Sequence, residues 1–107
     1  MNEGMKVSIA FESFAQNAGE YHKIWMETVQ KLSDVSKLDK KTAALAYLSV
    51  LAVMRLESGI PFHVKHAKML GASRDEIIGA ILIGLPAAGN VVTQSIPIAV
   101  KAYDENN

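Results

Sequence analysis

Apolar side chains recur at helical spacing along almost the whole chain, and strand signals are almost absent. Residues 8–16 predict a short helix with Ala10, Phe11 and Phe14 on one side, broken by Asn17-Ala18-Gly19. From Glu20 to about Ser33, Tyr21, Trp25, Thr28, Val29 and Leu32 form the stripe of an amphipathic helix, and such a stripe is expected to face a core. Asp39 suits a helix N-cap, and KKTAALAYLSVLAVMRLE continues that helix to about Glu57. Between Ala43 and Met54 only Ser49 and the Tyr47 hydroxyl are polar, so this helix is expected to be buried on every side.

Ser58 and Gly59 suit a junction, and Pro61 is tolerated in a first helical turn, where its missing N–H would have no partner anyway. Residues 60–70 therefore predict a further helix, stopped by Gly71. Ser73 and Glu76 have the spacing of a capping box, in which each side chain satisfies the other's orphan backbone donor. The apolar run Ile77–Leu85 follows. Pro86, Gly89 and Asn90 then mark a kink, and a last helix is expected from about Val91 to Asp104, with Pro97 bending or restarting it. The expectation is an all-α fold of about six helices. No linker, repeat or low-complexity segment interrupts residues 1–107, so they read as a single domain.

Two helices that want burial all round are hard to cover in a chain this small. The expected remedy is a homo-oligomer whose interfaces finish covering them, since large apolar patches are rare on soluble monomers.

Eleven basic residues balance eleven acidic ones, which leaves no electrostatic case for nucleic acid or an anionic membrane as partner. There is no cysteine, so no disulfide, thiolate metal site or thiol redox cycle can operate within the chain. The first residues, MNEGMKVSIAFESF, do not resemble a secretory signal, and the two longest apolar runs fall short of the roughly 18–20 residues of a membrane span. A cytoplasmic location is expected.

Candidate chemistry gathers in LESGIPFHVKHAKMLGASRDEI, residues 56–77. On a helical wheel Ile60, His63, Val64, Ala67 and Leu70 share one arc of about 120°. Lys65 and Lys68 lie away from it, and His66 sits at the edge of a second patch made by Phe62 and Met69. His63 thus points with the core-facing set, where it is either a neutral structural imidazole or a proton carrier beside a cavity. A metal site built from His63 and His66 with Glu57 or His22 lacks a fixed third ligand, so no metal is expected. The glycines show no phosphate-cradle spacing, and Ser49, Ser58 and Ser95 lie in no nucleophile motif.

LDKKTAALAYLSVLAVM, HVKHAKMLGASRDEI, IIGAILIGLPAAGN and SIPIAVKAYDE, taken in order, resemble the carboxymuconolactone decarboxylase family over about residues 20–104. That family shares the all-helical fold of the alkylhydroperoxidase AhpD. Its redox branch carries a glutamate, a C-x-x-C pair and a histidine. Counting back from His63 puts the cysteines at Leu56 and Gly59 and the glutamate at Ala44. Only the histidine remains, which rules out a thiol peroxidase or disulfide reductase of that type for this chain.

The other branch resembles the decarboxylase of aromatic-acid catabolism, which removes CO2 from a small carboxylated lactone with neither metal nor organic cofactor. The resemblance implies His63 as proton donor, with Glu57 or Ser58 orienting it or the substrate and Arg55 near the substrate; His66 is either structural or a further substrate contact. Ser58 and Gly59 depart from that branch, which carries a further histidine and carboxylate there, and Arg55 is the only obvious basic side chain near the start of the helix. Two functions follow as expectations. One is a cofactor-free carboxy-lyase acting by histidine acid–base chemistry. The other is a non-catalytic oligomeric binding or scaffolding protein, its cavity partly filled by Leu56 and Gly59. In either, the chain's expected partner is itself, as a trimer or hexamer. A redox accessory that borrows a partner's thiols rests on fold analogy alone.

Overall fold

A computed structural model describes residues 8–105. All of the regular structure in them is helical. The order is α1 (Ile9–Asn17), α2 (Gly19–Val35), α3 (Lys40–Val53), a 3-10 turn (Glu57–Gly59), α4 (Ile60–Met69), α5 (Arg74–Leu82), a short α6 (Leu85–Ala88), a 3-10 stretch (Gly89–Ser95) and α7 (Ile96–Asp104).

The starts of the helices follow from their caps. Asp39 accepts from the Thr42 backbone N–H at 2.9 Å and from its hydroxyl at 2.7 Å. The capping box at α5 is complete: Ser73 Oγ accepts from Glu76 N at 3.0 Å, and Glu76 Oε1 accepts from Ser73 N at 2.9 Å. Pro97 restarts the last helix rather than bending it. Residues 89–95 wind as a 3-10 stretch, and α7 begins at Ile96 with the proline in its first turn.

Two helix ends share one motif. After α4, Ala72 N donates to Ala67 O and Gly71 N to Lys68 O, both at 3.0 Å, with Gly71 left-handed at φ 97°. This is a Schellman cap. α3 ends the same way: Leu56 N donates to Leu51 O at 3.0 Å and Arg55 N to Ala52 O at 3.4 Å. Here the left-handed position is Arg55, at φ 59° the one described non-glycine residue with positive φ. The helix therefore stops at Val53, four residues short of the expected Glu57.

The core lies among α3, α4, α5, α7 and the 3-10 stretch before α7, where Leu48, Ile60, Val64, Ile77, Ile81 and Val92 are fully buried. α4 packs most extensively on α7. The C-terminal end of α7 is held there by Lys68 Nζ, which donates to Tyr103 O at 2.6 Å, and by Tyr103 OH, which donates to Ala72 O at 3.0 Å. Arg74 adds a two-pronged pair with Asp104. Cations at a helix C-terminus oppose its dipole favourably.

Three expectations about burial fail, each for a reason of packing. Lys65, expected to point away from the core, is only 7% exposed, because α7 covers that side of α4. Its Nζ lies 3.2 Å from Glu105 Oε1 without a well-aligned hydrogen bond. α3 is not buried on every side: it buries Leu48, Leu51 and Ala52, while Tyr47, Val50, Val53 and Met54 stay exposed. The stripe on α2 faces no core either. That helix packs mainly on α1 and leaves Tyr21 74% and Trp25 51% exposed. The segment Arg74–Asp104 is long and apolar enough to cross a membrane by length and composition. It is broken at Gly84, Gly89 and Ser95 into short helical pieces that pack against α3 and α4.

Candidate functional site

The left-handed turn at Arg55 lifts the chain out of α3, and the 3-10 turn Glu57–Gly59 leads it into α4. His63 then falls one helical turn into α4, on the side facing α3. Its imidazole is half-buried, 4.5 Å from the Tyr47 ring between centroids and 5.1 Å from that of Phe62. A β-carbon at Gly59 would lie 3.9 Å from His63 Cδ2 and 3.6 Å from Leu51 Cδ1. The backbone of position 59 therefore borders the imidazole directly.

Burial holds His63 below its ordinary pKa, and the neighbouring His66 adds a smaller push in the same direction. The ring is thus neutral near pH 7. It makes ring contacts and no hydrogen bond with the described residues. An imidazole that is uncharged, partly accessible and without a protein partner keeps both nitrogens available for an incoming group.

The other predicted residues divide. Arg55 and Glu57 come together, but with each other: Nε donates to Oε2 at 2.8 Å and Nη2 to Oε1 at 3.2 Å. The Glu57 carboxylate raises the pKa of Arg55 through that hydrogen bond and through charge. Glu57 is half-buried, whereas Arg55 and Ser58 are exposed. No hydrogen bond joins Glu57 to His63 among the described residues. His66 is exposed on the outer side of α4, its ring parallel to Phe62 with centroids 6.5 Å apart. Leu56, expected to help fill a cavity, is about half exposed instead, because the left-handed turn carries it outward.

Sequence reasoning missed Tyr47 as the wall of this site. Its signal was present, since Tyr47 is the one aromatic residue within an otherwise aliphatic stretch of α3. Among the described residues no three His, Asp or Glu side chains gather as a metal cage. His22, weighed as a remote ligand, instead packs between Phe11 and Phe14, 5.4 and 5.5 Å from their rings.

Residues 19–101 match the profile of a family described as the carboxymuconolactone decarboxylase family. Comparisons with curated proteins and with solved structures return no match. The matched span runs from the start of α2 into the last turn of α7 and includes the whole of the His63 neighbourhood. It coincides with the stretch whose motifs carry the resemblance, and it covers well over half of the chain. The chain belongs to the carboxymuconolactone decarboxylase family.

Proposed function

We propose that the protein is a cofactor-free acid–base enzyme of this family, acting on a small carboxylated lactone with His63 as its proton carrier, and that it works as a cytoplasmic homo-oligomer. The observation that carries the reading is the state of His63: half-buried, held neutral by burial and bonded to no described protein group. A purely structural imidazole at this depth would ordinarily be satisfied by a hydrogen bond.

The chemistry follows from charge. An anionic substrate placed beside His63 favours the imidazolium form and reverses the effect of burial, so the ring takes up a proton from solvent as the substrate binds. The C–C bond to the carboxylate then breaks, CO2 leaves, and the electron pair passes into the conjugated lactone as a dienolate. His63 donates its proton to the dienolate carbon and returns to the neutral form. Arg55 can receive the carboxylate by exchanging Glu57 for it, and Ser58 lies on the turn between them and His63. His66 lies on the same helix one turn further on.

A second reading, a non-catalytic oligomeric scaffold, is favoured by the Arg55–Glu57 pair, which neutralises the cation that the substrate needs. The ultraviolet absorbance of 4-carboxymuconolactone separates the two, followed with wild type beside His63→Ala. Turnover lost in the variant supports the enzyme. Equal turnover in both removes His63 from the chemistry, and no turnover in either favours the scaffold.

A further inference from the structure

Among the described residues, two apolar surfaces have no partner. The first is the stripe of α2, where Tyr21, Ile24, Trp25, Leu32 and Val35 are exposed although they lie on an amphipathic helix. The second is the outward face of α3, with Tyr47, Val50 at 55% exposure, Val53 and Met54. It continues across a groove to Ile83, 70% exposed, beyond the end of α5. The floor of that groove is Ala46, Ser49, Gly79 and Ala80, side chains small enough to let another helix approach closely. Ser49 Oγ donates to Ala80 O at 2.7 Å, which turns its polar atom inward and leaves the groove apolar except at the end lined by Thr42 and Glu76.

We infer that the α2 arm of one copy lies on the α3–α5 face of another, and that this contact closes the site beside His63. The inference rests on the homo-oligomer proposed above and specifies how its copies meet. Area supports a second copy as the occupant. From their exposed fractions, the ten exposed apolar residues above offer at most roughly 1,300 Å² between the two surfaces, at the lower end of the range of about 1,200–2,000 Å² buried by stable interfaces.

Length agrees as well: α2 has 17 residues and α3 has 14, or roughly 25 and 21 Å of helix. Charge argues against a membrane. α2 carries Glu20, Glu27 and Asp34 against Lys23 and Lys31, a net charge of −1 that an anionic bilayer does not attract. The face on α3 offers no charged side chain between Ala43 and Met54, and the charged pair Lys41–Glu76 lies at one end of the groove, beside Thr42.

The consequence for the site is direct. Tyr47 belongs both to this face and to the wall of His63, so an arm laid along α3 covers the flank of the imidazole. What is an open surface on one chain becomes an enclosed one. The same arm-to-face contact closes as a reciprocal pair or as a ring of copies.

The native chain has no cysteine, which permits a site-specific test on the full-length protein. One preparation carries Trp25→Cys and another Val50→Cys. They are mixed, allowed to exchange subunits and treated with a short bismaleimide, with far-ultraviolet circular dichroism confirming native helicity. Leu32→Cys with Ile83→Cys repeats the experiment where either of the first variants fails to fold. The expected result is a light-scattering mass at least twice the 11.6 kDa monomer, with cross-linked dimer several-fold more abundant in the mixture than in either preparation alone. A monomeric mass at every concentration would overturn the oligomer and this contact together. An oligomer that cross-links as well within single preparations would overturn the arm-to-face pairing alone, as would sedimentation of a monomer with phosphatidylserine vesicles.

Discussion

The Tyr47 and His63 rings meet at 4.5 Å between centroids and are inclined by 49°. One ring comes from an outward-facing position of α3 and the other from the first turns of α4, so the contact ties the exposed apolar face to the half-buried imidazole of the candidate site. Anything that covers the first changes the surroundings of the second.

Protonation of His63 should therefore oppose folding. Its folded pKa lies below its unfolded value of about 6.5, so between the two the unfolded chain binds more protons and stability rises with pH. Above pH 6.5 the group costs nothing. As the pH falls from there through the folded pKa, stability is lost. Urea denaturation at pH 7.5 and pH 5.5 should show a smaller acid loss for His63→Gln than for wild type. An identical loss in both would contradict the burial of this imidazole.

Arg55 occupies a left-handed position that glycine adopts without strain, as Gly71 does at the equivalent point of the next helix. Arg55→Ala and Arg55→Gly both remove the pair with Glu57, but only glycine relieves the backbone. The glycine variant should be more stable than the alanine variant by about 1 kcal/mol, after the extra freedom that glycine gives the unfolded chain is deducted. Chemical denaturation of the two variants side by side measures the difference. A more stable alanine variant would mean that the turn is not left-handed.

Gly84 lies close against α3. A β-carbon there would come within 2.6 Å of Val53 Cγ2, on a β-branched side chain whose χ1 is stiff. Gly84→Ala should cost about 1–3 kcal/mol. Val53→Ala should recover most of it, and a double-mutant cycle read by denaturation checks the coupling. Independent, additive effects would contradict the close approach.

The capping box at α5 should contribute measurably by itself. Ser73→Ala removes the acceptor for Glu76 N and should lower stability by about 1 kcal/mol, whereas Ser73→Asp, which keeps an acceptor there, should lower it by less. Equal losses in both variants would place the effect elsewhere.

Local signals made most of the fold legible in the sequence. Asp39, Ser73 and Gly71 act through bonds within four or five residues of themselves, so their caps could be read without tertiary information. The end of α3 could not, because its left-handed residue is an arginine and the Schellman bonds are made by backbone alone. Helical periodicity told which side of α2 is apolar but not what meets it, since a stripe looks the same whether its partner is the same chain or another.

Lys65 escaped for a related reason, because a wheel drawn for α4 alone contains no α7. At the site, the helical wheel put His63 with the inward-facing set of α4, and Arg55 and Glu57 lie two residues apart on the turn before it. That the carboxylate would hold the arginine rather than the histidine depended on the turn's geometry, and so did the outward swing of Leu56.

The most direct measurement compares kcat/KM for 4-carboxymuconolactone across pH with the titration of the His63 ring in the free protein, followed by NMR. Because kcat/KM reports groups in the free enzyme, a proton carrier must show its own midpoint there. The expected result is a fall in kcat/KM above a midpoint that coincides with that of His63 and lies below 6.5. A profile that runs flat through the His63 midpoint, or no turnover at any pH, would contradict the assignment of the imidazole as the group that moves the proton.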